Sequence, residues 1–184
     1  EEVEIEFIKK DILEEESIDQ KYDLVFSRFA LKHIYSPLKA LTNMVSLMDT
    51  GGRILLIDKD VSANIWFPRF PLYKTKYMKA LNKYNAQENR GGDATIGRKI
   101  PYLLEKMKVK DIEVDLIDRN LVENSNSPYK KILINVYENL VPELVAKEYI
   151  TEDEAIKDIN RFKSFLENEG NLAVVFDFII TGVK

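Results

Sequence analysis

Residues Tyr22–Asp60 read YDLVFSRFALKHIYSPLKALTNMVSLMDTGGRILLIDKD, and this stretch decides the fold class. Leu24-Val25-Phe26 is a short unbroken apolar run, the pattern of a strand buried on both faces. Ser36 can cap a helix that has Pro37 at its first position, where a missing N–H costs nothing. Leu38, Leu41, Val45 and Met48 recur at helical spacing and predict one core-facing stripe. Gly51-Gly52 is the expected helix stop, because glycine takes the left-handed conformation that a C-terminal stop requires. Ile54 to Ile57 then predicts a second buried strand, closed by Asp58-Lys59-Asp60. Strand, helix and strand with a crossover of this length imply parallel pairing. In open sheets of that kind, ligands sit at the carboxyl ends of the strands.

Upstream, Val3 to Ile8 alternates as V-E-I-E-F-I and predicts a strand covered on one side or at an edge. The acidic Glu14-Glu15-Glu16 that follows reads as a solvated loop. Downstream the character changes. Across residues 61–92, Trp66, Phe67, Phe70, Tyr73, Tyr77 and Tyr84 are interleaved with prolines and lysines. WFPRFPLY cannot be helical, since its prolines block regular hydrogen bonding, whereas residues 74–89 can be. An aromatic insertion after a strand's carboxyl end is a lid or substrate wall, or equally a second small core holding a long connection.

The remaining chain alternates again. Ile96, Ile100, Leu103, Leu104 and Met107 form a helical stripe, and Ile112, Val114 and Leu116 a strand. Ser127-Pro128 opens a helix with Ile132, Val136, Leu140 and Leu144 four apart, which Pro142 should bend or interrupt. Thr151 with Glu154 is a capping box for a further helix that Gly170 ends, and Ala173 to Ile180 is a final apolar strand. No internal repeat appears. One domain over residues 1–184 is expected from the length.

Composition narrows the function classes. With 27 Lys and Arg against 31 Asp and Glu, the net charge is −4, so no global basic field advertises a nucleic-acid or anionic-membrane partner. Cysteine is absent, which removes disulfides, thiolate metal sites and a cysteine nucleophile, and fits a cytoplasmic setting. No apolar run has the length needed to span a bilayer. The single histidine, His33, rules out a multi-histidine metal site, and no metal is expected. Asp58 and Asp60 could hold a hard cation, although strand-end solvation is the simpler account. No phosphate-binding lysine loop, nucleophile elbow or H-E-x-x-H motif occurs. The residues alone define an α/β domain with a polar cleft and leave the reaction open.

Taken together, Asp23 to Val25, Ser27, Arg28, Leu31, His33, Ser36-Pro37 and Gly51-Gly52 resemble the fourth-to-fifth-strand region of class I S-adenosylmethionine-dependent methyltransferases. Ile8 to Ile12 resembles the family's segment after its third strand. GGDATIGRKIPYLLEKM and the region from Tyr149 to the C-terminal strand resemble the carboxyl half of a bacterial small-molecule branch. The resemblance implies a Rossmann-like α/β sheet with the first two strands and their glycine-rich turn absent. This chain would then be a piece of a larger enzyme, its sheet completed by a missing N-terminal segment or by a second copy in a homodimer.

The resemblance further implies S-adenosylmethionine as cofactor and a small-molecule methyl acceptor. Asp11 would accept a hydrogen bond from the adenine amine, and Ile12 would pack by the ring. Ser27, Arg28 and Phe29 would flank the methionine portion and the methyl. Trp66, Tyr73 and Tyr77 would wall the acceptor pocket, with Arg98 closing it or holding an anionic group. Exposed surface roles serve Asp11 and Arg98 as well. His33 would orient substrate or loop, or act as a base. Two other readings stand beside this one: a non-catalytic interaction or dimerisation domain, and a nucleic-acid methyltransferase. SRFA, standing where the latter class carries a proline-aromatic motif, argues against that last reading.

Overall fold

The computed structural model describes residues 4–14, 20–70, 72–87, 91–122 and 128–184, with the backbone alone at 73, 86 and 87. Val3, Glu15, Glu16 and Ser127, all read above, lie outside these, as does the Tyr73 side chain.

The strand–helix–strand order of the central repeat forms as expected, but of the expected helical stripe Leu38 is exposed and Met48 belongs to the second strand. Strand β1 (Tyr22–Arg28) leads through a single 3-10 turn (Leu31–His33) to helix α1 (Pro37–Ser46) and strand β2 (Met48–Lys59). β1 and β2 are parallel, with Val25 opposite Ile54 and Phe26 opposite Leu55. Gly51-Gly52 does not stop the helix. α1 has already ended at Ser46, and both glycines lie within β2, where Gly51 has φ 77° and the β1 pairing skips from Met48 to Arg53. The positive φ is therefore used to put an irregularity into a strand.

A short strand β3 (Ile65–Phe67) and helix α2 (Lys76–Gln87) make up the aromatic region. Helix α3 (Ile96–Lys106), strand β4 (Lys110–Asn120), helices α4 (Pro128–Ala146) and α5 (Glu152–Glu167), and strand β5 (Leu172–Val183) complete the chain. β5 is antiparallel to all its partners. It pairs β2 through residues 177–183, β3 through residues 172–174, and β4 along 174–183. Since β2 and β4 share the same span of β5, they occupy its opposite edges, and β3 prolongs the β2 edge. Thr151 caps α5 with the expected box to Glu154. α4 continues past Pro142 without interruption, and its buried positions include Val141 and Leu144, whereas Ile132 is 58% exposed.

Two expectations fail for one physical reason. Glu4–Lys10 forms no strand, and Ile5 and Phe7 are exposed. Leu24 and Phe26 are 57% and 55% exposed rather than buried on both faces. Among the described residues β1 pairs only with β2, so it is an edge strand. α1 and α3 cover the sheet face that carries Ile54, Leu56 and Ile180, a core closed by Leu41, Ile100 and Leu104. The opposite face is covered only toward the start of β5. There Ala173 and Val175 meet a second core built from α2, α4 and α5 around Tyr84, Leu144 and Phe162. Apolar pattern specifies that a residue can be buried; it does not supply the neighbour.

Candidate functional site

The carboxyl ends of β1 and β2 open into a cavity of ≈ 720 Å³, roofed by α2 and α4. Such a volume is within the range of about 300–1,000 Å³ typical of small-molecule sites. Its strand-end side carries Lys32, His33 and Lys59; Trp66, Leu81, Tyr129 and Tyr137 are among its aromatic and apolar walls. No carboxylate is among its described lining residues.

The cationic side is built by strand-end geometry. Lys59 and Asp177 are register partners across the β2–β5 ladder, and the Lys59 ammonium lies 2.5 Å from Asp177 Oδ1. Arg119, on β4, pairs with Asp177 Oδ2, so one buried carboxylate holds two cations. The Lys59 ammonium also stands 4.6 Å from the Tyr129 ring centre and 5.0 Å from that of Phe29; Lys32 stands 5.3 Å from the Phe29 ring. Aromatic faces attract cations at such separations. Burial, then the neighbouring Lys59, pushes the Lys32 amine below its ordinary value, against the pull of Asp58 and Asp177.

Asp58 and Asp60 are not solvated strand-end groups, being 1% and 0% exposed. Asp58 accepts the backbone N–H of Lys32 at 3.2 Å and of Lys59 at 2.8 Å, which ties the turn after β1 to the end of β2. Burial raises its carboxyl above the usual carboxylate range, with those two N–H donors and Lys32 opposing. Asp60 accepts the N–H and hydroxyl of Ser62 at 2.9 and 2.8 Å, and pairs with Arg98. Among the described residues, no group of three His, Cys, Asp or Glu side chains could hold a metal ion.

His33 lines the cavity and remains solvent-accessible. Burial, followed by Lys32, lowers its imidazole pKa, and Asp58 opposes them. It is thus a neutral ring near pH 7, able to accept a proton. Gly92 makes this turn possible, since a Cβ there would lie 2.1 Å from the Lys32 carbonyl oxygen.

The residues named from sequence fall into three groups. Trp66 and His33 line the cavity, and Phe29 stands beside its cationic side, with φ 55° and its N–H donated to the Ile57 carbonyl at 2.7 Å. Tyr77 is 2% exposed and not among the lining residues. Its hydroxyl donates to the Tyr137 carbonyl at 2.8 Å, so it braces a wall from behind, and burial raises its pKa strongly. Arg98 is also not a lining residue: it braces Asp60 and Ser62, and the cations at the cavity are Lys32 and Lys59 instead. Arg28 is exposed with its guanidinium 4.9 Å from the Phe29 ring centre, and Ser27 lies beside it on β1.

Asp11 and Ile12 lie outside the cavity lining. Asp11 Oδ1 accepts the Leu13 N–H at 2.9 Å, and the Ile12 carbonyl accepts the Asn43 amide at 2.6 Å. The second Asp11 oxygen keeps its acceptor capacity, which fits an exocyclic amine. Sequence reasoning missed Lys59, Arg119, Asp177 and Tyr129. A usable signal existed in AVVFDFII, where one aspartate interrupts an otherwise apolar strand.

A cavity over parallel strand ends is where α/β domains place their ligands. The family comparison makes this specific: residues 2–170 match the model described as a methyltransferase domain, and the chain belongs to that family. Among solved structures it is similar to a protein assigned as a methyltransferase from Bacillus halodurans C-125, with TM-score 0.53 and 12% identity, over 96% of this chain and 70% of that one. At that identity the likeness concerns the fold. A phosphoethanolamine N-methyltransferase from Haemonchus contortus, solved with S-adenosyl-L-methionine, has a TM-score of 0.43 and 19% identity, and this chain spans 33% of its length. No curated protein matches the chain. No helix among the described residues is long and apolar enough to cross a membrane.

Proposed function

We propose that the chain transfers a methyl group from S-adenosylmethionine to a small molecule held in the cavity under α2 and α4. The observation that carries this reading is the cavity itself: a largely apolar chamber with a cationic side, placed at the carboxyl ends of two parallel strands in a methyltransferase domain. Bound S-adenosylmethionine supplies an electrophilic methyl, so the protein needs no covalent nucleophile. Its own work is placement and the exclusion of water. Phe29, Ser27 and Arg28 stand at the end of β1 to flank the donor, and Asp11 with Ile12 offers the adenine edge an acceptor and an apolar side. The acceptor wall comes from the aromatic region through Trp66, Leu72, Met78, Leu81 and Tyr84, all cavity-lining. Neutral His33 can orient the acceptor or take a proton from it.

Calorimetric titration of the chain with S-adenosylhomocysteine tests this. Binding that weakens in Phe29→Ala and Asp11→Ala supports it; no heat at millimolar ligand sinks it and leaves a non-catalytic methyltransferase-like domain.

A further inference from the structure

We infer that the acceptor is an elongated, largely apolar carboxylic acid, bound as its anion with the carboxylate against Lys32 and Lys59. The inference rests on the methyl-transfer reading above and deepens it. Three observations carry it. First, the described lining of a ≈ 720 Å³ cavity includes two lysines and no aspartate or glutamate, so an entering ligand meets an excess of positive charge.

Second, the nearby carboxylates are already engaged. Asp177 is shared between Lys59 and Arg119, and Asp58 accepts two backbone N–H groups. The Lys32 ammonium makes no ion pair among the described residues. Three cations (Lys32, Lys59 and Arg119) thus surround two carboxylates, and the surplus is left facing the cavity. Third, the other walls are mostly apolar and aromatic, from Trp66 through Leu81 on α2 to Leu133 and Leu140 on α4, with the uncharged amides of Asn64, Asn82 and Asn85 as the polar exceptions. A body without charge fits them, and a second charged group would lose its solvation there.

Charge also selects among acceptors. Both ammoniums lie within 5.3 Å of the Phe29 ring centre, the side on which the donor's sulfonium is placed by the reading above. A protonated amine would bring a further like charge into that cluster, whereas a carboxylate offsets it. A carboxylate oxygen forms the new O–C bond as the C–S bond breaks with its pair remaining on sulfur. No proton has to leave the acceptor, and the product is a neutral methyl ester.

The test exploits Trp66, the chain's single tryptophan and a lining residue. Its emission is followed while the unliganded chain is titrated with decanoate, decanol or decylamine, none of which absorbs near the tryptophan band. Decanoate is expected to bind about tenfold more tightly than the other two, with the preference falling below about threefold in Lys32→Met. Lys59→Met is a second variant, limited by the loss of the buried pair with Asp177; Lys32→Met removes no buried ion pair and keeps the test decisive. Equal binding of the three probes, tighter decylamine, or a preference untouched by Lys32→Met overturns the inference. Binding of S-adenosylhomocysteine without a decanoate preference removes the acid assignment and leaves methyl transfer standing. A decanoate preference without S-adenosylhomocysteine binding removes the acceptor role itself.

Discussion

Lys59 and Asp177 face each other across the antiparallel β2–β5 ladder at 2.5 Å, with side chains only 11% and 1% exposed. Breaking a buried pair from one side leaves an uncompensated charge, which costs more than the pair contributes. Lys59→Met is expected to destabilise the chain by about 3 kcal/mol, the lower end of the usual range because Arg119 still holds Asp177. Lys59→Met combined with Asp177→Leu and Arg119→Met, which replaces every member of the cluster, should recover more than half of that loss. Urea unfolding of both variants checks this, and equal destabilisation would show that the charges are not coupled.

Arg98 acts at a distance from the cavity. Its guanidinium pairs with Asp60, which is 0% exposed, and donates to the Ser62 hydroxyl at 2.6 Å. Arg98→Ala therefore removes a charged partner from a buried carboxylate at the entrance to β3. A loss of about 2 kcal/mol is expected in thermal or urea unfolding, with a change in Trp66 emission. The same substitution should leave the decanoate preference in place, because Lys32 and Lys59 are intact.

His33 gives a pH signature whose sign can be worked out. Its folded pKa lies below 6.5, chiefly through burial and then through Lys32. Between that folded value and about 6.5, the unfolded chain binds a proton that the folded chain does not. Stability is therefore lost as pH falls through this window. Wild type should lose more stability than His33→Gln between about pH 7.5 and about pH 5.5. As the chain has one histidine, a single imidazole resonance reports the midpoint directly, and Lys32→Met should move it upward.

Gly92 lies where the chain passes the Lys32 carbonyl with no space for a side chain. A Cβ at 2.1 Å from a backbone oxygen forces one of the two segments to move. Gly92→Ala is expected to cost about 1–3 kcal/mol and to shift the His33 resonance. A variant with wild-type stability and an unchanged resonance would show that the two segments leave space for a side chain.

The central repeat was legible because its signals are local. Leu24-Val25-Phe26, the Pro37 helix start and Ile54 to Ile57 specify element types by run length, capping and spacing, and parallel pairing follows from the crossover. The Thr151–Glu154 box was legible for the same reason, since its partners are three residues apart. Gly51-Gly52 misled because a glycine pair serves equally as a helix stop or a strand irregularity. Only the course of the neighbouring strand distinguishes the two.

By itself the amino-acid order determined the α/β class, the strand–helix–strand unit and the aromatic character of residues 61–92. Tertiary structure alone decided what lies at the strand ends. Lys59 and Asp177 are 118 positions apart and meet only because β5 runs antiparallel beside β2. It also decided that Arg98 holds Asp60 and Ser62, that Tyr77 braces a wall from behind, and that Lys32 and Lys59 face the cavity. Local pattern encodes which face of an element is apolar, but a binding site is made by side chains from distant segments, and its charge balance exists only once the sheet has brought them together.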